Sequence, residues 1–174
     1  MKFKTLYLSI ITLMAFTLCS PKKELATVKP VDLNKYKGTW YEIARFDHSF
    51  ERNLACVSAT YTIREDGKID VLNKGYNTKK EKWEEANGIA KVPNSDIPGE
   101  IKVSFFRPFY GDYFVMKLDS DYKHVLVGSP TRNYLWVLSR TKTMDKAVYD
   151  KYVAVAKEKG FDTSKLMRIN QDCK

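Results

Sequence analysis

Gly38-Thr39-Trp40-Tyr41-Glu42-Ile43-Ala44-Arg45-Phe46-Asp47 is the stretch that decides the fold. Read as period two, Trp40, Glu42, Ala44 and Phe46 fall on one face and Tyr41, Ile43 and Arg45 on the other, the pattern of a β-strand over residues 39–47. The alternation recurs downstream. Residues 56–64 place Val57, Ala59, Tyr61 and Ile63 together, residues 68–76 place Ile69, Val71 and Asn73 together, and residues 81–92 form a fourth strand. Residues 100–107 set Ile101, Val103 and Phe105 opposite Lys102, Ser104 and Phe106, and residues 113–119, 124–129 and 133–140 complete eight. The connections are short. Glu65-Asp66-Gly67 reads as a hairpin turn, residues 93–98 as a loop and residues 108–112 as a turn. That spacing has no place for βαβ crossovers, so the sheet is antiparallel.

One helix follows the strands. Thr143 is its N-cap candidate and Asp145 lies early, where the helix dipole favours an acid. Ala147, Val148, Tyr152, Val155 and Ala156 make one apolar stripe, and Gly160 ends it. Residues 166–170 read as a short ninth strand. The predicted architecture is all-β: an eight-stranded antiparallel up-and-down β-barrel with one C-terminal α-helix, closed so that no sheet edge is left. Eight strands enclose a packed core or one small ligand. Small residues at Ala44, Ala59 and Gly75 on the inward faces leave room and point to a cavity.

The chain has 174 residues, a net charge of +9 and 13% aromatics. That length suits one domain, and the aromatic content suits strands and excludes a wholly disordered chain. Residues 1–18 are read as a signal peptide: Lys2 and Lys4 precede an apolar run, residues 6–18, too short to span a bilayer. Cys19 follows at once, and Phe16-Thr17-Leu18-Cys19 resembles a bacterial lipoprotein signal, although an aliphatic residue is usual at Phe16 and a small one at Leu18. Cys19 is therefore the expected lipidation site, with an ordinary cleaved signal as the alternative. Ser20 lacks the acid associated with inner-membrane retention, which points to an anchor in the outer membrane on its periplasmic face. Residues 19–31 read as lipidated Cys and tether, and residues 32–174 as the barrel. Once Cys19 is lipidated, Cys56 and Cys173 remain as an even pair in an oxidising compartment, either bridged or two free thiols.

Gly38-Thr39-Trp40 at the start of the first strand, Asn133-Tyr134 at the start of the eighth and Arg140 closing it resemble the three lipocalin motifs. Trp40 would plug the closed end, with Arg140 laid over its indole. The stretches 41–45, 73–76, 102–106 with 108–111, and 134–141 are similar to the bacterial outer-membrane lipoprotein lipocalins, kin to apolipoprotein D. The resemblance covers residues 31–170. It implies binding, storage or transfer of fatty acids or lysophospholipids in the periplasm, a link to membrane maintenance under envelope stress, a Cys56–Cys173 bridge from the second strand to the C-terminus, and room for a homodimer.

By alternation, the expected ligand-lining set is Ala59, Tyr61, Val71, Asn73, Val103, Phe105, Tyr134, Trp136 and Leu138, with Leu135 and Val137 under the helix. Glu42 is the odd member. A carboxylate inside the barrel needs partners or a raised pKa, and Asn73 and Tyr134 are the candidates to bond it. Gly38, Trp40 and Arg140 are read as structural. An enzyme is the second class, but His48 and His124 have no nucleophile or carboxylate constellation around them in the sequence, so no catalytic residue is assigned. The third class is a basic surface adhesion protein, with pairs such as Lys79-Lys80 meeting anionic lipid headgroups. Export and aromatics buried at period two speak against nucleic acid. No cofactor and no metal site are read from the sequence.

Overall fold

A computed structural model describes residues 24–173. The signal segment and Cys19 lie outside the described residues. The elements run α1 (Leu33–Tyr36), β1 (Gly38–Arg45), β2 (Leu54–Ile63), β3 (Ile69–Asn77), β4 (Lys82–Lys91), β5 (Glu100–Phe106), β6 (Phe109–Leu118), β7 (His124–Gly128), β8 (Leu135–Ser139), α2 (Lys146–Glu158), a 3-10 turn (Thr163–Lys165) and β9 (Met167–Arg168). Strands β2 to β8 pair in chain order, all antiparallel, and β1 closes the barrel by pairing with both β8 and β2.

One end is shut by local chemistry. Asp32 caps α1 through a bond from the Asn34 N–H, and the turn it starts lies under the first strand. Trp40 is fully buried there and donates its indole N–H to the Tyr36 carbonyl at 2.8 Å. The Arg140 guanidinium lies 3.9 Å from the centre of that indole and donates to the carbonyls of Thr39, Lys35, Tyr36, Lys37 and Tyr122. Gly38 has φ +94°, a conformation that favours glycine, and a Cβ there would crowd the guanidinium at 3.3 Å.

Helix α2 packs on the outside of the barrel. Tyr152 and Ala156 join Ile43, Met116, Leu126, Leu135 and Val137 in a second apolar cluster, each large member contributing about 1.5–3 kcal/mol when buried. The N-cap is Asp145, which accepts from Ala147 and Val148, and not Thr143; the carboxylate lies two residues closer to the first free N–H groups. Gly160 follows with φ +84°.

Four expectations need correction. β1 carries a bulge between Glu42 and Ala44, which reverses the alternation. Ala44 and Phe46 therefore pack in the cluster under the helix, and Arg45 turns into the barrel. Ala44 leaves no space inside, and Gly75 is backed by Val57 and Leu54. The expected turn over 108–112 is only Arg107-Pro108, because Phe106 pairs with Phe109 and Gly111 sits in the ladder opposite Val103. The tether does not extend to residue 31. Leu25 and Val31 are buried, and the Val28 N–H bonds the Val115 carbonyl, so 24–31 lies along the barrel wall.

The bulge has a further effect. β1 pairs with β2 only from Gly38 to Tyr41. Beyond that point the seam is filled by the C-terminal segment: β9 pairs with Ala44 and Arg45, and the Cys56 N–H bonds the Asn170 carbonyl at 2.7 Å. Gln171 donates to the carbonyls of both Glu42 and Val57. The Cys56–Cys173 disulfide fastens the wedge.

Candidate functional site: the barrel interior

The interior has two halves of different chemistry. Near the closed end, Val71, Ile69, Ile101, Val115, Val125, Val127 and Leu138 pack around Trp40. Three tyrosines meet among them: Tyr36 and Tyr113 share a hydroxyl contact of 2.7 Å, and Tyr61 donates to Tyr113 at 3.0 Å. Burial pushes all three hydroxyls far above the ordinary tyrosine range, so they stay protonated and serve only as hydrogen-bond groups.

The half nearer the loop over residues 46–53 is polar. Arg45 is almost fully buried and bonds Glu42 at 3.1 Å. It lies 3.4 Å from Glu51 and also donates to the backbone carbonyls of Glu51 and Leu54. Two buried carboxylates share one guanidinium, and one carboxylate must hold a proton. Burial, then the neighbouring Glu51 charge, pushes the Glu42 carboxyl well above its usual range. Burial raises the Glu51 carboxyl as well, and it accepts from the Trp136 indole N–H at 3.2 Å. His48 is buried beside this group, 4.9 Å from the rings of both Tyr134 and Trp136, and Phe50 stacks on it at 5.2 Å. Burial and the Arg45 charge hold the His48 pKa down at about 4, so its ring is neutral at pH 7.

The expected lining residues divide accordingly. Ala59, Tyr61, Val71 and Leu138 are in the packed inner cluster, with Val103 and Trp136 against it. Ala59 stands opposite Trp40 in one ladder and Asn73 in the other. Asn73 does not bond Glu42, and its Oδ1 has no partner. Tyr134 does not bond Glu42 either; it is partly exposed at the start of β8, its ring stacked 5.9 Å from Trp136. The partner of Glu42 is Arg45, because the bulge brings the residue three positions on to the same face. Sequence reasoning missed Arg45, His48, Glu51 and Gln171. A buried acid demands a cation, and Arg45 is the nearest one in the chain; that demand was the available signal.

Between β4 and β5 the wall is thin. Their ladder has three pairs, Ile89–Ser104, Ala90–Val103 and Lys91–Lys102. Past the Ile89–Ser104 pair lies a cleft of about 460 Å³ lined by Gly88, Ile89, Ser104, Phe105 and Phe106. Among the described residues no group of three His, Cys, Asp or Glu side chains is placed to hold a metal ion.

The lipocalin-like domain model matches residues 31–171. Outer membrane lipoprotein Blc of Vibrio cholerae is 50% identical over 149 residues, 83% of this chain and 87% of that protein. The Escherichia coli K12 protein of the same name is 47% identical over 152 residues, 87% and 86% of the two chains. Mouse apolipoprotein D is 30% identical over 148 residues, 80% and 77%. Among solved structures, insecticyanin from the tobacco hornworm superposes with a TM-score of 0.68 at 20% identity over 85% of each chain, a likeness of fold. By the span of the model match and these identities, the chain belongs to the lipocalin family.

Proposed function

We propose that this protein is an outer-membrane lipoprotein, anchored through Cys19 on the periplasmic face, that binds single-chain lipids, fatty acids or lysophospholipids, and stores or transfers them in membrane maintenance under envelope stress. The observation that carries the reading is the interior itself: an apolar cluster around Trp40 beside a buried acid–arginine cluster, the two chemistries that an acyl chain and its headgroup require. Each buried CH₂ contributes roughly 0.8 kcal/mol, enough in a long chain to outweigh the cost of association. The relatives named as outer membrane lipoproteins support the location. The role needs no catalytic residue, and a homodimer is compatible with it.

Native mass spectrometry of the protein isolated from membranes tests the ligand. A bound fatty acid or lysophospholipid is the expected result. Protein that carries no lipid and takes up none on addition overturns the reading.

A further inference from the structure

Any ligand inside this barrel needs a way in, and two obvious routes are occupied. The loop over residues 46–53 sends His48 and Glu51 into the interior, each only 5% exposed, and Arg45 holds the loop by the Glu51 and Leu54 carbonyls. The β1–β2 seam is filled by the C-terminal wedge, fastened by the Cys56–Cys173 disulfide.

The β4–β5 wall differs from both. After Ile89–Ser104 the ladder stops, while β4 continues to Lys82 and β5 to Phe106. Phe105 lies on the inward face by its parity with Ile101 and Val103, yet its side chain is 45% exposed. Its ring fills the gap in the wall: a Cβ built on Gly88 would lie 2.8 Å from that ring, so only glycine lets the phenyl lie across β4. Beside it on the other face of β5, Ser104 is 3% exposed and its Oγ has no hydrogen-bond partner. The cleft at this point, about 460 Å³, is in the size range of ligand sites. Its chemistry is graded. Ile89, Phe105 and Phe106 are apolar, while Asn87, Arg107 and Asp70, the last already paired with Arg64, are its further polar members. Phe106 and Phe109, exposed by 77% and 70%, stack beside it as an apolar lip.

We propose that the β4–β5 cleft is a lateral entry site for a single-chain amphiphile with an anionic head, in which the acyl chain passes between Gly88 and Phe105 while Arg107 meets the head. Phe105 is the part that moves. Its ring lies over Gly88 and is 45% exposed, so turning it out opens the wall without breaking a backbone hydrogen bond. The head, a carboxylate or a phosphate, is recognised by charge alone, so both lipid classes enter here. This inference rests on the lipid-binding reading and adds a route to it.

Stopped-flow uptake and release of a fluorescent long-chain fatty acid, and separately of a lysophospholipid bearing the same fluorophore, test the route on the full mature protein. Phe105→Ala is expected to raise the uptake and release rates together, by about tenfold, with much less change in Kd, since a gate alters the barrier and not the end states. Phe105→Trp slows both. Arg107→Gln slows uptake of both probes and flattens its dependence on salt. Met167→Ala, on the opposite seam, leaves the rates unchanged. Wild-type rates in both Phe105 variants, or a change confined to the release rate and therefore passed in full to Kd, overturn the lateral route while the lipid-binding reading stands. A wild-type protein that binds neither probe overturns both.

Discussion

Trp136 donates its indole N–H to Glu51 across 3.2 Å, joining residues 85 positions apart. The bond ties the inner wall of β8 to the loop that covers the polar half of the barrel. It also gives the tryptophan a charged neighbour and so an environment sensitive to anything that enters.

Trp136→Phe should therefore do two things. It leaves Glu51 short of one donor in a buried site and should lower stability by about 1–3 kcal/mol in urea unfolding. It should also remove most of the change in tryptophan emission on lipid addition. Trp40 is sealed at the closed end, and Trp83 lies on the outer wall against Tyr76, so neither reports on the interior.

Glu42→Gln should change how stability depends on pH. The folded protein holds Glu42 protonated above its ordinary pKa of 4.5, whereas the unfolded chain ionises there. Wild-type stability is thus fully present below that value and is lost as pH rises through the folded pKa. Gln keeps the neutral form and should flatten this limb, so the variant gains on wild type as pH rises above the ordinary value. His48 acts on the other side: with its pKa lowered from 6.5 to about 4, it costs stability as pH falls through that window. Unfolding midpoints across pH for wild type and variant check both limbs.

Cys173→Ser should loosen the β1–β2 seam. The bridge spans a sequence separation of 117 residues, for which loop-closure entropy gives on the order of 4–5 kcal/mol. The Gln171 bonds to Glu42 and Val57 should weaken with it. A large fall in Tm, with Cys56 newly reactive to a thiol reagent, is the expected outcome; an unchanged Tm contradicts it.

Arg140→Lys keeps the charge but not the fork. Lysine cannot reach five carbonyls while lying flat on Trp40, and the variant should lose about 3 kcal/mol. The same measurement on Arg140→Ala should give a loss at least as large.

Cys19→Ala should abolish incorporation of labelled fatty acid and release the protein from the membrane fraction. Wild type that takes up no label contradicts the anchor.

The closed end was legible because its chemistry is packed into short motifs: glycine at positive φ, an indole and a guanidinium have few other uses at those positions. Leu135 and Val137 under the helix, and Trp136 and Leu138 inside, followed from strict alternation in an unbroken strand. The polar half was not legible. A bulge has no residue signature in β1, and one extra residue carried Arg45 from the outer face to the inner one. Glu51 and His48 lie in a loop, where no period predicts direction. The β4–β5 cleft depends on where a ladder stops, which both strands conceal by continuing to alternate.

The disulfide has a topological consequence. With Cys56 joined to Cys173, the chain between them is a closed loop that takes in β3 to β9 and part of β2. A single protease cut at any exposed turn in that loop, such as the one holding Gly67, opens the ring without separating it into pieces. The nicked molecule gains one water and stays a single covalent piece until a reductant is added, and its strands remain within reach of their partners.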